Sequence, residues 1–273
     1  MCGRYAASRR PDLLIEEFRV DVDATGDKAP GPDFNVAPTK PVVVVLERTP
    51  KPDDAAVSEE TAATADEPGV VEPVRQLRVV RWGLVPSWAK DPSIGSRMIN
   101  ARAETAASKP SYRRAFAHRR CLIPADGFFE WQAPDPDDPH VRRGKTGKPV
   151  KQPYYAYPRD GASLPMAGLY EFWRDPTRKD DDPDAWLVTC TVLTTDATDD
   201  FAAIHDRMPM VVAPDQWDAW LDPYLTDVDE VAGLLLPAGA LDLEVYPVST
   251  KVNDVRNNGP HLIDQVDPQA QDG

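Results

Sequence analysis

The sequence predicts an α+β protein, a single β-rich domain around a barrel-like mixed sheet with a few peripheral helices. Short runs of β-branched and aromatic residues recur along all 273 residues, as in PVVVVLE at 41–47 and LEVYPV at 243–248. Few stretches have helical periodicity, and strands do not alternate with helices as in a parallel βαβ fold. A hydrophobic content of 41% is enough for one sizeable core.

Each predicted strand is a short apolar or alternating run bounded by Pro, Gly or polar residues. These runs lie at 41–47, 77–82, 120–131 (two short strands bent at Ala125, Asp126 and Gly127), 154–157, 164–173, 185–195, 208–212 and 243–248. Helical periodicity or a capping residue predicts helices at 11–19, from Asp196 or Thr198 to about His205, at 214–221 and at 227–236.

Composition separates one domain from three polar segments. We predict that residues 1–263 form a single domain. The stretches 50–73 and 133–151 are rich in Pro and charged residues and lack aromatic residues, so they are predicted to be polar surface insertions. The last residues, 264–273, are predicted to be an acidic, disordered tail.

Cysteine usage and hydropathy limit the class of protein. The three widely spaced cysteines, Cys2, Cys121 and Cys190, fit neither a disulfide framework nor a zinc site. Cys121 and Cys190 lie in apolar runs and are predicted to be buried strand residues. No apolar run reaches about 18 residues, and the N-terminus lacks a signal-peptide pattern. We therefore expect a cytoplasmic protein with no membrane partner.

Charge is distributed unevenly. The net charge of −14 and the pI near 4.7 argue against nucleic-acid binding over the whole surface. Between residues 97 and 120, however, seven basic residues accompany a single acid, Glu104. The seven are Arg97, Arg102, Lys109, Arg113, Arg114, Arg119 and Arg120. An acidic surface poor in lysine is also typical of proteins from high-salt habitats, which stays a hypothesis.

The first residues, MCGRY, place a cysteine directly after the initiator methionine. If Met1 is removed, Cys2 carries an α-amine beside its thiol. Such an aminothiol condenses with an aldehyde through its amine and closes a ring through its thiol. The alternative is that Cys2 is an incidental small hydrophobic residue.

Further candidate residues lie in apolar or aromatic surroundings. Glu130, between Phe129 and Trp131, either faces an apolar pocket, where its pKa would be raised, or faces solvent. His205 follows a predicted helix and is either an acid–base group or a structural residue. Asn100 and Arg102 share one face if extended, as site residues or as loop scaffolding.

Trp88 is the aromatic candidate. It follows Pro86 and Ser87, and it is either a core residue or an exposed platform for single-stranded bases.

Together, these motifs form an ordered set that resembles the SRAP family, the abasic-site processing proteins also labelled SOS response-associated peptidases. The resemblance covers most of the chain outside the two insertions and the tail. It rests on MCGRYA, FNVAPT, RWGLVPSWAKD, INARAET, RCLIPADGFFEW, MAGLYEFW, IHDRMPMVV and VSTKVNDVRNNGP.

The resemblance implies a catalytic domain that joins its mature N-terminal cysteine covalently to abasic sites in single-stranded DNA. By residue match, Cys2 is the nucleophile, Asn100 lies beside the linkage, and Glu130 and His205 are catalytic. A second set would contact or shape the DNA site: Arg4, Asn35, Trp88, Arg102, Arg113 and Arg114. Some relatives carry two consecutive tryptophans where this chain has Trp88 followed by Ala89, so the stacking platform is expected to be smaller.

We expect a monomer, nucleoid-associated when on DNA, that needs no cofactor and no metal. Thiazolidine formation at the lesion would protect the strand, and Met1 removal could be autocatalytic. Two alternatives remain open. An N-terminal cysteine hydrolase or peptidase would use Cys2, Asn100 and His205 on an amide. A non-catalytic single-strand binding module would not need Cys2.

Overall fold

The computed structural model describes residues 2–49, 72–135, 143–144, 147–179 and 181–268. Residues 50–71, which form most of the first predicted insertion, lie outside this part of the chain. Residues 136–142 and 145–146 of the second insertion and residues 269–273 of the predicted tail also lie outside it.

The described residues contain fourteen strands and six short helices. The strands are β1 (Arg4–Ala7), β2 (Val22–Asp23), β3 (Asp33–Val36), β4 (Pro41–Arg48), β5 (Val74–Trp82), β6 (Asn100–Arg102), β7 (Arg120–Ala125), β8 (Gly127–Gln132), β9 (Gln152–Pro158), β10 (Leu164–Arg174), β11 (Trp186–Asp196), β12 (Arg207–Val212), β13 (Leu235–Pro237) and β14 (Leu243–Pro247). The helices are α1 (Pro11–Glu17), α2 (Ala103–Ala106), α3 (Arg113–His118), α4 (Asp199–Ala202), α5 (Trp217–Leu221) and α6 (Val228–Gly233).

The larger sheet closes on itself. Its strands pair in the order β13-β12-β10-β7-β4-β5-β11-β6, and β10 also pairs with β11. The strands β10, β7, β4, β5 and β11 therefore form a closed ring. Pairing is antiparallel around this ring except between β11 and β5, which are parallel. The predicted α+β class with a barrel-like mixed sheet is confirmed.

The smaller sheet places the start of the chain. Its order is β14-β9-β8-β1-β3, so β1 lies between β8 and β3. Arg4 pairs with Phe129 and Tyr5 with Phe128, in antiparallel register. The residues that precede β1 are therefore brought alongside the half of β8 that contains Glu130.

The ring encloses one apolar core, and the helices cover another on its outer face. Cys121 and Cys190 are fully buried in the inner core and carry free thiols, so their predicted place in buried strands is confirmed. Leu14 of α1, Phe116 of α3 and Trp220 of α5 belong to the outer core. Burial of such large side chains supplies most of the stability of the domain.

Two close glycines shape the loop that leads to the candidate site. Gly83 has a φ of 116°, and a Cβ there would lie 2.5 Å from the carbonyl oxygen of Gly95. The loop after β5 can therefore cross directly over residues 92–97, and Leu84 N–H bonds to Met98 O at 3.1 Å. This crossing fixes the chain just before Asn100.

Some element boundaries differ from the sequence prediction. The helix predicted at 227–236 ends at Gly233, because Leu235–Pro237 pairs with β12 as β13. A short apolar run such as LLL fits a helix or a strand equally well. The helix predicted to reach His205 ends at Ala202, and the one predicted at 214–221 divides into a 3₁₀ turn and α5.

Gln265 and Val266, which the prediction assigns to the tail, pair with the chain near Val248. Gln265 forms a bridge with Val248, and Val266 N–H donates to Pro247 O at 3.0 Å. Pairing with the end of β14 thus extends the folded part beyond the predicted boundary. No helix in the described part of the chain is long and apolar enough to cross a membrane.

Candidate active site

Cys2 lies in the protein interior, next to β8. Its side chain is fully buried, and its main-chain carbonyl accepts a hydrogen bond of 2.8 Å from Asn100 Nδ2. The thiol lies 3.9 Å from Arg4 O. Asn100 lies 98 residues away in sequence, so this bond joins the segment before β1 to β6 and fixes the position of Cys2.

Asn100 is itself held rigidly. It pairs with Val192 of β11, and Tyr112 Oη donates to its carbonyl at 3.3 Å. Trp82 Nε1 donates to the preceding carbonyl, Ile99 O, at 2.8 Å. The side-chain oxygen Oδ1 is buried, and no donor in the described part of the chain reaches it. A buried acceptor of this kind favours a donor supplied by a ligand.

Glu130 faces inward, which settles the alternative that the sequence left open. Only 2% of its surface is exposed, and burial raises the pKa of its carboxyl to about 7. Its neighbour Phe129 is buried on the opposite face, where it packs against Tyr155. Both faces of β8 are therefore covered, and Glu130 can gain or lose a proton near neutral pH.

His205 faces Glu130 from the connection between α4 and β12. Its Nε2 lies 3.8 Å from Glu130 Oε2. Its Nδ1 accepts the main-chain N–H of Arg207 at 3.0 Å and lies 2.9 Å from Asp206 Oδ1. Burial lowers the pKa of His205, and the Asp206 carboxylate opposes that shift.

The tautomer of the neutral imidazole follows from these contacts. An Nδ1 that accepts the Arg207 N–H leaves the proton on Nε2, directed at Glu130. In the protonated ring, Nδ1 would instead donate to Asp206. His205 and Glu130 thus lie as two neighbouring titratable groups, and Glu130 is close enough to Cys2 to act on its thiol electrostatically.

The Cys2 thiol is protonated at neutral pH in this environment. Burial raises its pKa, and the negative charge of Glu130 raises it further. Thiolates, not thiols, are the strong nucleophiles. A step that uses this sulfur therefore requires a base, and Glu130 is close enough to influence the thiol electrostatically.

Arg4 is bound to a loop formed by residues 249–258. Its Nη1 donates to Asn35 Oδ1 and to Val252 O, each at 2.7 Å. The guanidinium also lies over the Trp131 ring, 5.8 Å from the ring centre. These hydrogen-bond partners are uncharged, while the carboxylates of Asp254 and Asp33 are close enough to act on the guanidinium electrostatically.

Asn35 is fully buried and holds this loop from below. Its Nδ2 donates to the carbonyls of Val252, Asp254 and Asn257 at 3.0–3.2 Å. Asn35 therefore has no exposed surface, and its side chain positions both Arg4 and the loop. The sequence motif VSTKVNDVRNNGP supplies the loop, but sequence reasoning gave that motif no task.

A cleft opens above Glu130 and His205. Its lining consists of Arg102, Glu130, Trp131, Lys151, His205, Asp206 and Arg207. Arg102 is exposed at the rim of the cleft. It lies two residues after Asn100 in β6, so the two side chains share one face of the strand. The structure brings the four predicted catalytic residues together: Cys2 and Glu130 are buried, and Asn100 and His205 are partly buried beside them.

Sequence reasoning missed Arg207 and Lys151 in this lining. Arg207 is held by Glu104 Oε1 at 2.9 Å, Asp196 Oδ1 at 2.5 Å and Thr194 O at 2.6 Å. The signal for Arg207 was available in IHDRMP, two residues after His205. Lys151 had no such signal, because it is the last residue of the polar insertion and lies in none of the motifs.

The predicted DNA-contacting residues divide into two groups. Arg102 lines the cleft and Arg4 lies over the ring of Trp131, which also lines it, whereas Trp88, Arg113 and Arg114 do not line it. Trp88 is 60% exposed at the tip of the loop after β5, so it is not a core residue. Arg113 and Arg114 are exposed on α3, which follows Tyr112, the residue bonded to Asn100.

The basic surface predicted between residues 97 and 120 is smaller than its sequence count. Arg120 is 2% exposed, and its donors bond to main-chain carbonyls. Arg119 pairs with the buried carboxylate of Glu171. A count along the chain includes both, but neither guanidinium is available to a ligand.

Known proteins have sequences similar to this chain over most of its length. The family model described as SOS response associated peptidase (SRAP) matches residues 1–255. Abasic site processing protein YoqW of Bacillus subtilis is 36% identical over 97% of this chain and 99% of its own length. Abasic site processing protein YedK of Escherichia coli is 30% identical over 97% of this chain and 100% of its own length.

A relative from Gallus gallus and a solved structure extend the same similarity. Abasic site processing protein HMCES of Gallus gallus is 34% identical over 85% of this chain and 66% of its own length. A crystal structure of a Bacteroides thetaiotaomicron protein shares the fold with a TM-score of 0.69 and 22% identity, covering 97% of this chain and 100% of that one. The chain therefore belongs to the SOS response associated peptidase (SRAP) family.

Proposed function

We propose that this protein is an abasic-site sensor that captures the lesion covalently in single-stranded DNA through Cys2. The support is that Cys2, Asn100, Glu130 and His205, from four separate segments, lie together beside a cleft with cationic residues, with Cys2 and Glu130 buried. Relatives of similar length are named abasic site processing proteins. The proposal requires loss of Met1, by an aminopeptidase or by the protein itself.

The proposed chemistry begins at the Cys2 amine. A ring-opened abasic sugar presents an aldehyde at C1′. The amine attacks this carbon, the carbinolamine loses water, and an imine remains. The Cys2 sulfur then adds to the imine carbon, the S–H proton passes to nitrogen, and a thiazolidine is formed. One water leaves overall, and no oxidant or reductant is needed.

The state of the thiol supports this order of events. A buried, protonated thiol beside Glu130 is a weak first nucleophile, whereas an amine can attack without a thiolate. The opposite order, with thiolate attack on an amide, is what an N-terminal cysteine hydrolase requires. The buried, protonated thiol therefore favours aldehyde capture over the hydrolase alternative.

Glu130 and His205 would move the protons. A carboxyl with a pKa near 7 can take a proton from the attacking amine and return one to the departing hydroxyl. The His205 Nε2 proton, directed at Glu130, can be relayed to the departing sulfur when the C–S bond breaks and the ring nitrogen re-forms the imine. Asn100 Oδ1 would accept a hydrogen bond from the Cys2 amine or from a sugar hydroxyl.

The DNA strand would follow the cationic rim. Arg4 and Arg102 are placed to meet the phosphates next to the lesion, with Asn35 fixing Arg4. Trp88 offers an exposed ring for a base, and the surface of α3 extends the positive charge through Arg113 and Arg114. Ring closure removes the imine, which protects the strand from β-elimination.

A denaturing gel tests the proposal. The protein is mixed with a single-stranded oligonucleotide that carries one abasic site, beside an intact oligonucleotide. We expect a shifted band with the abasic strand alone. The band should be absent for Cys2→Ala, whereas Cys2→Ser should give only an imine that borohydride traps.

The contrary results are equally specific. A stable adduct with Cys2→Ala would show that another residue is the nucleophile. Absence of any band, when mass spectrometry shows that Met1 is gone, would reject lesion capture and bring the hydrolase alternative forward. An intact Met1 would call for the same experiment on chain produced with Cys2 first.

A further inference from the structure

A second cationic groove continues from the cleft. It is lined by Ala133, Pro134, Asp135, Arg143, Lys148, Pro149 and Lys151. Lys151 also lines the cleft with Glu130 and His205, so the two depressions share a wall. The groove is formed by the described part of the 133–151 insertion, to which the proposed function gives no task.

The strands that carry the insertion place it relative to Glu130. In the β8–β9 pair, Glu130 lies opposite Tyr154 and Gln132 opposite Gln152. The insertion therefore begins three residues beyond Glu130. At about 3.3 Å per strand residue, its base lies roughly 10 Å from the catalytic carboxylate along β8.

The cationic residues of the groove are held by a small hairpin. Arg143 and Pro149 form an antiparallel bridge, and Gly144 N–H donates to Lys148 O at 2.9 Å. Arg143 Nη1 donates to Gly147 O at 3.0 Å, which is a neutral partner. The side chains of Arg143, Lys148 and Lys151 are exposed.

The charge of this groove contrasts with the rest of the protein. Three cations and one carboxylate, Asp135, line it, on a chain with a net charge of −14. In sequence, residues 133–151 contain five lysines and arginines and three aspartates, so this segment is net positive. The lining contains no aromatic residue, so the groove fits a phosphate backbone rather than stacked bases.

We propose that Arg143 and Lys148 bind backbone phosphates of the single strand on one side of the lesion, as a continuation of the cleft beyond Lys151. The inference rests on the proposed function, because it takes the strand to cross the cleft. It adds a phosphate-binding surface that lengthens the DNA footprint. The surface holds the strand while the Cys2 chemistry proceeds, and it contributes no group to that chemistry.

The test compares two double charge reversals with the same change in net charge. Arg143→Glu with Lys148→Glu alters the groove, and Arg10→Glu with Lys28→Glu alters exposed cations that line neither depression. Binding of a fluorescent intact single-stranded oligonucleotide of about 15 nucleotides is measured by anisotropy across a salt series. Each lost phosphate contact should reduce the salt slope by about 0.7.

We expect the groove variant to lose about 1.4 from the slope and at least tenfold in affinity, with much smaller changes in the control. Equal changes in both variants would show a net-charge effect and overturn the inference. Lesion capture is scored separately, on the gel, at saturating protein. Wild-type adduct formation with an unchanged slope in the groove variant rejects this surface alone, whereas failure of the wild-type adduct rejects the proposed function.

Discussion

Arg120 and Glu130 are equally buried, with 2% of each residue exposed, yet their surroundings are opposite. Arg120 is surrounded by main-chain carbonyls, and its guanidinium joins α3 to α5 and the turn that follows it. Its acceptors are the carbonyl oxygens of Phe116, Ala117, Trp220, Asp222 and Leu225. Glu130 instead borders a cleft, and burial raises the pKa of its carboxyl to about 7.

The difference teaches how burial of a charge can serve two purposes. Where every donor has an acceptor, a buried charge fixes the fold and stays ionised. Burial lowers the pKa of Arg120 only to about 10, so it remains charged at neutral pH. At Glu130, burial makes the ionised carboxylate costly, and this cost raises the pKa of the carboxyl toward neutrality. A group with such a pKa can transfer protons near neutral pH.

The largest expected effect is on the structural side of this comparison. Arg120→Met should destabilise the protein by about 3–5 kcal/mol, because five buried or partly buried carbonyls lose their donor. Urea unfolding at pH 7 measures it, with the exposed Arg159→Met as control, for which a change below about 0.5 kcal/mol is expected. A loss of less than 1 kcal/mol in the free energy of unfolding for Arg120→Met would contradict the structural role given to Arg120.

Glu130→Gln should have the opposite sign in stability. The folded-state pKa is raised, so the carboxyl costs stability as pH rises from about 4.5 through 7, up to roughly 3 kcal/mol. The glutamine variant should therefore be more stable than wild type at pH 8 and similar at pH 4. Its rate of adduct formation should fall at least about a hundredfold. Unfolding curves at both pH values and gel time courses check the two expectations.

Asn100→Ala should separate positioning from folding. It removes the bond to Cys2 O, so we expect adduct formation to slow by about tenfold. It also removes a buried oxygen without a donor, which limits the loss of stability to about 1 kcal/mol. A loss of stability as large as that of Arg120→Met would place Asn100 among the structural residues.

Asp206→Asn should produce the smallest change. The Asp206 carboxylate favours protonated His205, so its removal should lower the pKa of His205 further. The acid limb of adduct release should move to lower pH by less than about one unit, with little change at pH 8. Release rates measured from pH 5 to 8 test this, and Asp199→Asn, also on the acidic α4 side, is the matched control.

The sequence predicted the long strands well because their apolar runs are long enough to show a pattern. It did not predict β1, β3 or β6, which have three or four residues and are strands only through their neighbours. Those short strands carry or flank Cys2, Asn35 and Asn100. The candidate site residues were thus identified through motif resemblance, whereas the way in which short strands position them became visible only in the fold.

Burial was the other quantity that the sequence did not reveal. Alternation along GFFEW gave two possible orientations for Glu130, and the covering of both faces of β8 decided between them. The same limitation inflated the basic count at 97–120, because Arg119 and Arg120 belong to the interior. Linear charge patterns do not distinguish a guanidinium that solvates carbonyls from one that meets a ligand.

The closed ring has a consequence for the order in which the protein is made. Cys2 is among the first residues to leave the ribosome, but β11, β12 and His205 come some two hundred residues later. At 5–20 residues per second, roughly 10–40 s separate them. During that interval the nascent chain contains Cys2 but not His205, the residue that faces Glu130. Late closure of the ring thus delays the contact between Glu130 and His205 until the strands that flank His205 have been synthesised.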